Sequence, residues 1–370
     1  MKKFIFILLL ILICLIIFIP LKYIRISIPI DEQIIISTND KVYLISDGFV
    51  LKRLFNLKDK KIDDEFKYIK YSKLINPDTL FLYIAGEKYA NGHFVKLDLS
   101  SRSIVKSRSP SNFKRIKLKD DNFSLVGIEN KTNNLLVLDH NYNIQKKILF
   151  QKYLDNIKSL SSRKLPEPSL RYPSFNDTST IDNYFVPFDL EINGNNILIA
   201  GFGTLQLIKI SENGEFILGK DLYKLLNAEL IKGFDFITVN QINTVGNDKI
   251  YMLATLSSKW DAGPVKELFL SYDFYSDEII SQLTSENISE FGIYKKPHAI
   301  FDLFRNAEKY NPSYFNFAED HLFISNNLSG ELSNILIIDK NDQLIFQFPK
   351  NYLQDLFFSN FNNITYIGIY

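Results

Sequence analysis

The sequence predicts an all-β architecture, and three observations carry that expectation. Short apolar strands recur along the chain, separated by turns that contain Asn, Asp or Gly. Groups of four such strands repeat at similar spacing. Aromatic residues make up 14% of the chain and Ile is abundant, which suits pleated, half-buried surfaces and a substantial core. One segment stands apart from this pattern, a 16-residue apolar run from Phe4 to Ile19 directly behind Lys2 and Lys3.

That run comes first in the chain. A cleavable signal peptide needs small residues just before the cut. The residues after the run are Pro20, Leu21, Lys22, Tyr23, Ile24 and Arg25, with no small pair among them. A retained anchor is therefore expected over residues 1–25. A spanning helix needs at least about 17 apolar residues. Residues 4–21 reach that length, with Lys22 and Tyr23 placed to anchor at the interface. Cys14 is preceded by Ile13 and followed by further apolar residues, which disfavours a lipid-modified cysteine. Lys2 and Lys3 face Lys22 and Arg25 across the run, so the positive-inside bias is nearly balanced. The short dibasic tail favours a cytoplasmic N-terminus. The expectation is a single-pass protein of the cell membrane, with its bulk extracytoplasmic.

Residues 26–370 then form one β domain. The net charge is +1, so nothing draws the chain to nucleic acid. Cys14 is the only cysteine, which excludes a disulfide or a cysteine-built zinc site in the domain.

The repeats run in order. QIIIST, KVYLIS and FVLKRL supply three N-terminal strands. Residues 66–108, 113–150, 188–220, 234–283 and 315–348 each supply a four-strand unit, and DLFFSN and ITYIGIY add strands near the end of the sequence. Four-stranded units repeated about an axis describe a β-propeller. Five full units plus one blade shared by both ends of the sequence give six blades, with seven as the alternative count. The unit at 188–220 carries Pro187-Phe188-Asp189-Leu190, Gly194-Asn195-Asn196-Ile197 and Ser211-Glu212-Asn213-Gly214. These resemble the NHL-like repeats of six-bladed propellers; the other units match loosely. The resemblance implies the fold over residues 31–370 and leaves function open.

A second periodicity opens each unit. Phe66-Lys67-Tyr68, Phe113-Lys114-Arg115, Phe188-Asp189-Leu190, Phe234-Asp235-Phe236 and Phe315-Asn316-Phe317 align on the expected innermost strand. Alternation would bury the Phe and turn Lys67, Lys114, Asp189, Asp235 and Asn316 toward a central channel. Polar residues line any wet channel, so this ring is either a ligand site or simple solvation. Two lysines in it oppose a calcium-type site, which needs 6–8 oxygen ligands. An anionic or zwitterionic ligand fits better.

The four histidines, His93, His140, His298 and His321, fall in different units without ligand spacing. No nucleophile-elbow, P-loop or zinc-protease motif is present. No catalytic residue, cofactor or metal is assigned. Two insertions draw attention, since binding residues concentrate on loops held by a scaffold. One spans Ser159 to Pro187, with Arg163, Arg171 and Tyr172; the other spans Ser257 to Val265, with Trp260. They are the candidate partner surface, set against packing onto their own blades. Amphipathic helices are expected at 221–233 and 297–310, and a short one at KYLDNIKSL.

These features point to a membrane-anchored extracytoplasmic propeller that binds or scaffolds a protein or carbohydrate partner of the envelope. The alternatives are a hydrolase or lyase acting on a small ester or carbohydrate, and an anion-binding sensor.

Overall fold

In the computed structural model, the described residues are 33–46, 50–57, 66–86, 91–119, 124–161, 184–245, 249–257, 265–284, 312–318, 321–326, 334–338, 344–348 and 364–369. They form an all-β structure of antiparallel strands. Strands β1 (Ile34–Ser37), β2 (Lys41–Ser46) and β3 (Val50–Asn56) form a meander. It is followed by β4 (Phe66–Asn76), β5 (Thr79–Gly86), β6 (His93–Asp98) and β7 (Ile104–Arg108). The third unit is β8 (Phe113–Leu118), β9 (Leu125–Glu129), β10 (Leu135–Leu138) and β11 (Ile144–Ile148). A 3-10 turn at Phe150–Tyr153 and helix α1 (Leu154–Leu160) come next.

The fourth unit is β12 (Phe185–Asn193), β13 (Asn196–Gly203), β14 (Leu207–Ser211) and β15 (Phe216–Lys220). The fifth is β16 (Phe236–Val245), β17 (Lys249–Ser257), β18 (Val265–Asp273) and β19 (Glu278–Thr284). The sixth is β20 (Pro312–Ala318), β21 (His321–Asn326), β22 (Asn334–Ile338) and β23 (Leu344–Phe348). Finally β24 (Tyr366–Ile369) returns to pair with β1, Ile34 opposite Ile369 and Ser37 opposite Tyr366. The fourth and fifth units share one eight-stranded sheet through the pair Phe202–Thr238; the others are separate four-stranded sheets.

The sequence explains which strand goes where. The second strands TLFLYIAG and NILIAGFG are buried at every position but the first. A strand covered on both faces has no polar side to present, so it reads as a continuous apolar run. The fourth strands β7 and β11 are exposed at three of five positions each, and β15 is half-buried along most of its length. Apolar clusters fill the space between neighbouring units. Phe81, Tyr83, Phe94, Phe113 and Tyr142 join the second unit to the third, with Phe94 and Tyr142 ring centroids 4.6 Å apart.

The four described turns that join β6 to β7, β10 to β11, β14 to β15 and β18 to β19 share a device. Asp98, Asp139 and Asp273 each accept backbone N–H bonds from residues two to four further on. Ser211 does the same from Glu215. Each turn then passes through a residue of positive φ: Arg102, Tyr142, Gly214 and Asp277. Only one of these is glycine, the Gly214 that closes Ser211-Glu212-Asn213-Gly214.

The stretch 221–233 departs from expectation. It forms a 3-10 turn at Leu222–Lys224 and a separate one-turn helix, α2 (Ala228–Ile231), in place of one continuous helix. Asn227 breaks the run by capping α2, its side chain accepting from the Glu229 N–H at 2.8 Å. Leu222, Leu226 and Leu230 are still buried, packed in the core cluster that holds β16 and β17. The KYLDNIKSL stretch contains α1, preceded by the 3-10 turn. No helix among the described residues is long and apolar enough to cross a membrane. The apolar run 4–19, the anchor segment 1–25, the helix at 297–310 and the strand DLFFSN lie outside the described residues.

Two glycines separate crowding from backbone freedom. A Cβ at Gly203 (φ +151°) would meet the Tyr184 carbonyl oxygen at 1.9 Å, whereas one at Gly194 (φ +57°) meets nothing within 4 Å. Gly194→Ala is expected to cost about 1 kcal/mol of backbone strain, and Gly203→Ala about 3 kcal/mol or more. Urea unfolding of the two variants checks the order; equal midpoints would contradict the packing at Gly203.

Candidate ligand-binding cavity

The first strand of every full unit carries a β-bulge near its start. The register shifts fall between Phe66 and Tyr68, Phe113 and Arg115, Pro187 and Asp189, Val239 and Gln241, and Pro312 and Tyr314; β4 shifts twice more, between Ile69 and Tyr71 and between Leu74 and Asn76, so Lys70 itself occupies a second bulge. An extra residue at a bulge re-aims the side chains that follow it. Counted from the bulge, one triplet recurs: Tyr68-Ile69-Lys70, Arg115-Ile116-Lys117, Asp189-Leu190-Glu191, Gln241-Ile242-Asn243 and Tyr314-Phe315-Asn316. The middle residues, Ile69, Ile116, Leu190, Ile242 and Phe315, are all at most 2% exposed. The third residues, Lys70, Lys117, Glu191, Asn243 and Asn316, all line one cavity of about 610 Å³.

This arrangement revises the expected ring. Asp189 and Asn316 line the cavity; Lys114 and Asp235 do not. Lys114 sits at the bulge of β8, and its ammonium lies 4.5 Å from the centre of the Phe188 ring. Asp235 precedes β16 and is exposed, its N–H bonded to the Ser257 carbonyl. Lys67 occupies the bulge of β4, and its side chain is outside the described set. Aligning units on phenylalanine mixes positions before and after the bulge, so period-two counting places different strands in different registers. Lys70, Arg115, Lys117, Glu191 and Asn243 were missed for that reason. The polar–apolar–polar triplet is the signal that would have found them. Arg163, Arg171, Tyr172 and Trp260 lie outside the described residues.

Side chains at the cavity tie each first strand to the next. Ser72 on β4 donates to Ser37 Oγ on β1 at 2.7 Å and lies 3.4 Å from Thr365 Oγ1 beside β24. Lys70 Nζ on β4 donates to the Phe113 carbonyl on β8 at 2.9 Å. Arg115 and Lys117 on β8 reach Asp189 and Glu191 on β12, at 3.6 and 2.7 Å. Asp189 Oδ2 accepts from the Ile242 N–H on β16 at 2.9 Å. The Gln241 carboxamide both donates to and accepts from the Phe315 backbone on β20. Asn243 donates to Asn316 at 3.0 Å, and Asn316 donates to the Ile367 carbonyl on β24 at 2.7 Å. Contacts between the strands follow the same order, from β4 through β20, with β24 touching both β20 and β4.

The charges are uneven. Lys70, Lys73, Arg115 and Lys117 face two carboxylates, Asp189 and Glu191. Burial raises the Asp189 carboxyl above its ordinary range; Lys117, Arg115 and the Ile242 N–H oppose that without cancelling it. Burial alone would lower Lys117, but the attraction of Glu191 and Asp189 outweighs it and the ammonium is held above its ordinary value. Lys70 is lowered to about 8, first by burial and then by the charge of Arg115. Among the described residues, no group of three or more His, Cys, Asp or Glu could hold a metal ion.

A carboxyl whose folded pKa is raised contributes stability below its ordinary value, and that contribution is lost as pH rises through the raised value. The unfolding free energy of the parent protein minus that of Asp189→Asn is therefore expected to be largest near pH 4 and to shrink toward pH 7. Urea titrations at the two pH values measure it, and a pH-independent difference would contradict the burial of Asp189.

No family model matches the chain, and no curated protein matches it. Among solved structures it is similar to a protein of unknown function from Bacteroides caccae, with TM-score 0.48 and 10% identity over 92% of this chain and 99% of that one. It is also similar to the AfRom2 CNH domain, with TM-score 0.40 and 7% identity over 87% of this chain and 84% of that one. A third is the tricorn protease, with TM-score 0.35 and 10% identity over 83% of this chain and 26% of that one. None of the three bears on what the cavity holds.

Proposed function

We propose that this chain is a six-bladed β-propeller with NHL-like units, anchored in the cell membrane through residues 4–21, whose axial cavity binds a small anionic ligand. The cyclic order of first-strand contacts, with β24 between β20 and β4, supports the closed six-blade reading. The uninterrupted apolar run behind Lys2 and Lys3 supports the anchor.

One observation carries the ligand assignment: four cationic side chains against two carboxylates around a cavity of about 610 Å³. That volume lies within the range of small-molecule sites, about 300–1,000 Å³. Both carboxylates already have cationic partners, Arg115 for Asp189 and Lys117 for Glu191. Lys70, on the β4 side of the cavity, donates to a neutral carbonyl and has no carboxylate partner among the described residues. This reading joins the binding-module and anion-sensor expectations. The hydrolase alternative draws no comparable support, because Asp189 and Glu191 are each engaged across the β8–β12 boundary.

Calorimetry of the full-length chain in detergent, against phosphate, acetate, lactate and citrate at fixed ionic strength, tests the site. At least one anion is expected to bind saturably and to stabilise the fold by about 2.7 kcal/mol at one hundred times its Kd. Arg115→Gln is expected to weaken that binding at least tenfold. Heat from a neutral sugar with none from any anion would replace the anion reading with a carbohydrate one. The anchor is tested by alkaline carbonate extraction of native membranes. The chain is expected in the pellet, and its release into the supernatant would remove the membrane assignment.

A further inference from the structure

Lys70 differs from Arg115 and Lys117, the cations on the neighbouring strand β8. Arg115 lies 3.6 Å from Asp189 and Lys117 lies 2.7 Å from Glu191. Lys70 has no carboxylate partner among the described residues; its ammonium nitrogen donates to the Phe113 carbonyl and lies 5.7 Å from the Tyr68 ring centre. Its charge is therefore half-buried beside a second cation without a counter-ion. A neutral amine keeps the bond to the Phe113 carbonyl, since a single N–H suffices, and frees a lone pair. Desolvation beside another cation is a recognised way to activate a lysine as a nucleophile.

Arg115 supplies the complementary half. It follows Phe113 by two residues on β8, so the carbonyl that holds Lys70 and the guanidinium belong to one short stretch of strand. Its side chain is 46% exposed, and one ion pair leaves most of its five N–H donors available. A planar guanidinium suits a carboxylate held by two hydrogen bonds.

Resting on the axial-cavity reading above, we propose that Lys70 is a reactive amine that captures a small 2-oxo acid, with Arg115 holding the acid's carboxylate. The neutral Nζ attacks the carbonyl carbon and forms the C–N bond, while the carbonyl electron pair moves to oxygen. A proton passes from nitrogen to that oxygen, giving the carbinolamine. Loss of water then leaves the C=N bond of an imine. The net change is amine plus ketone to imine plus water, with no oxidant or reductant. The lowered Lys70 pKa, about 8, keeps a sizeable neutral fraction near neutrality and supports this chemistry.

The test uses the full-length chain in detergent, pyruvate, and sodium cyanoborohydride to trap the imine, read by intact mass and peptide mapping. Labelling of Lys70 is expected at least tenfold faster than that of Lys106, an exposed lysine on β7, with a rate that rises through about pH 8. Lactate has the carboxylate without the carbonyl, and it is expected to slow Lys70 labelling in the unmutated protein. Arg115→Gln is expected to lower the ratio of Lys70 labelling by pyruvate to its labelling by propanal at least tenfold at the same pH, the ratio cancelling the change in Lys70 ionisation that follows loss of the guanidinium charge. Lys70→Arg, checked for folding by circular dichroism, is expected to abolish the fast adduct. Equal labelling of Lys70 and Lys106 would overturn the proposal. If lactate binds by calorimetry and no fast Lys70 adduct forms, imine capture fails while the anion site stands. A fast adduct insensitive to both lactate and Arg115→Gln would overturn the role of Arg115 and of the acid.

Discussion

The buried carboxylate of Asp189 is the constraint around which the lining of the cavity is arranged. It is 3% exposed and takes a hydrogen bond from the Ile242 backbone and an ion pair from Arg115, so it touches the units on both sides of its own. A carboxylate with this little water must be compensated from within the protein. The compensation comes from Arg115 and, through field, from Lys117, both on the preceding unit. Glu191, two residues on, then balances Lys117. These four groups together tie β8 to β12 across the boundary between two sheets.

The same logic runs round the cavity with milder chemistry. Where charge gives out, amides and hydroxyls continue: Gln241 clasps the Phe315 backbone, Asn243 meets Asn316, and Ser72 meets Ser37. Apolar clusters between sheets are tolerant of sliding, because burial is non-directional. Hydrogen bonds at the cavity are not, and they fix which residue of each strand faces which. The polar lining is thus both a structural clasp and the wall of the cavity. Lys70 is the member whose clasp, a single bond to a carbonyl, does not neutralise its charge.

Much of the architecture was legible in the sequence. The doubly covered strands at 79–86 and 196–203 announce themselves as unbroken apolar runs, and Gly194 marks its hairpin. The cavity was only partly legible. Asp189 and Asn316 were reached by an alignment on phenylalanine that placed Lys114 and Asp235 in the same ring, while the structure puts those two elsewhere. A bulge inserts a residue without any compositional mark, and one residue is enough to exchange the faces of a strand. The turn device was hidden differently: Arg102, Tyr142 and Asp277 adopt the left-handed backbone that glycine would have advertised. At 221–233 the amphipathic pattern reports the buried face, Leu222, Leu226 and Leu230, but not the break in the helix, because Asn227 starts a new turn.

The pairing of β24 with β1 has a consequence for how the chain is made. Thr365 bonds Ser37 across 328 residues of sequence. Strand β1 is Ile-Ile-Ile-Ser, buried at all four positions, and one edge of it is covered only by β24. During synthesis that edge therefore stays open until residues 366–369 emerge, at about 5–20 residues per second. An unpaired apolar edge is a template for pairing with another chain. Until then the nascent chain carries an adhesive strand, and its escape from misassociation depends on whatever shields residues 34–37 before β24 arrives.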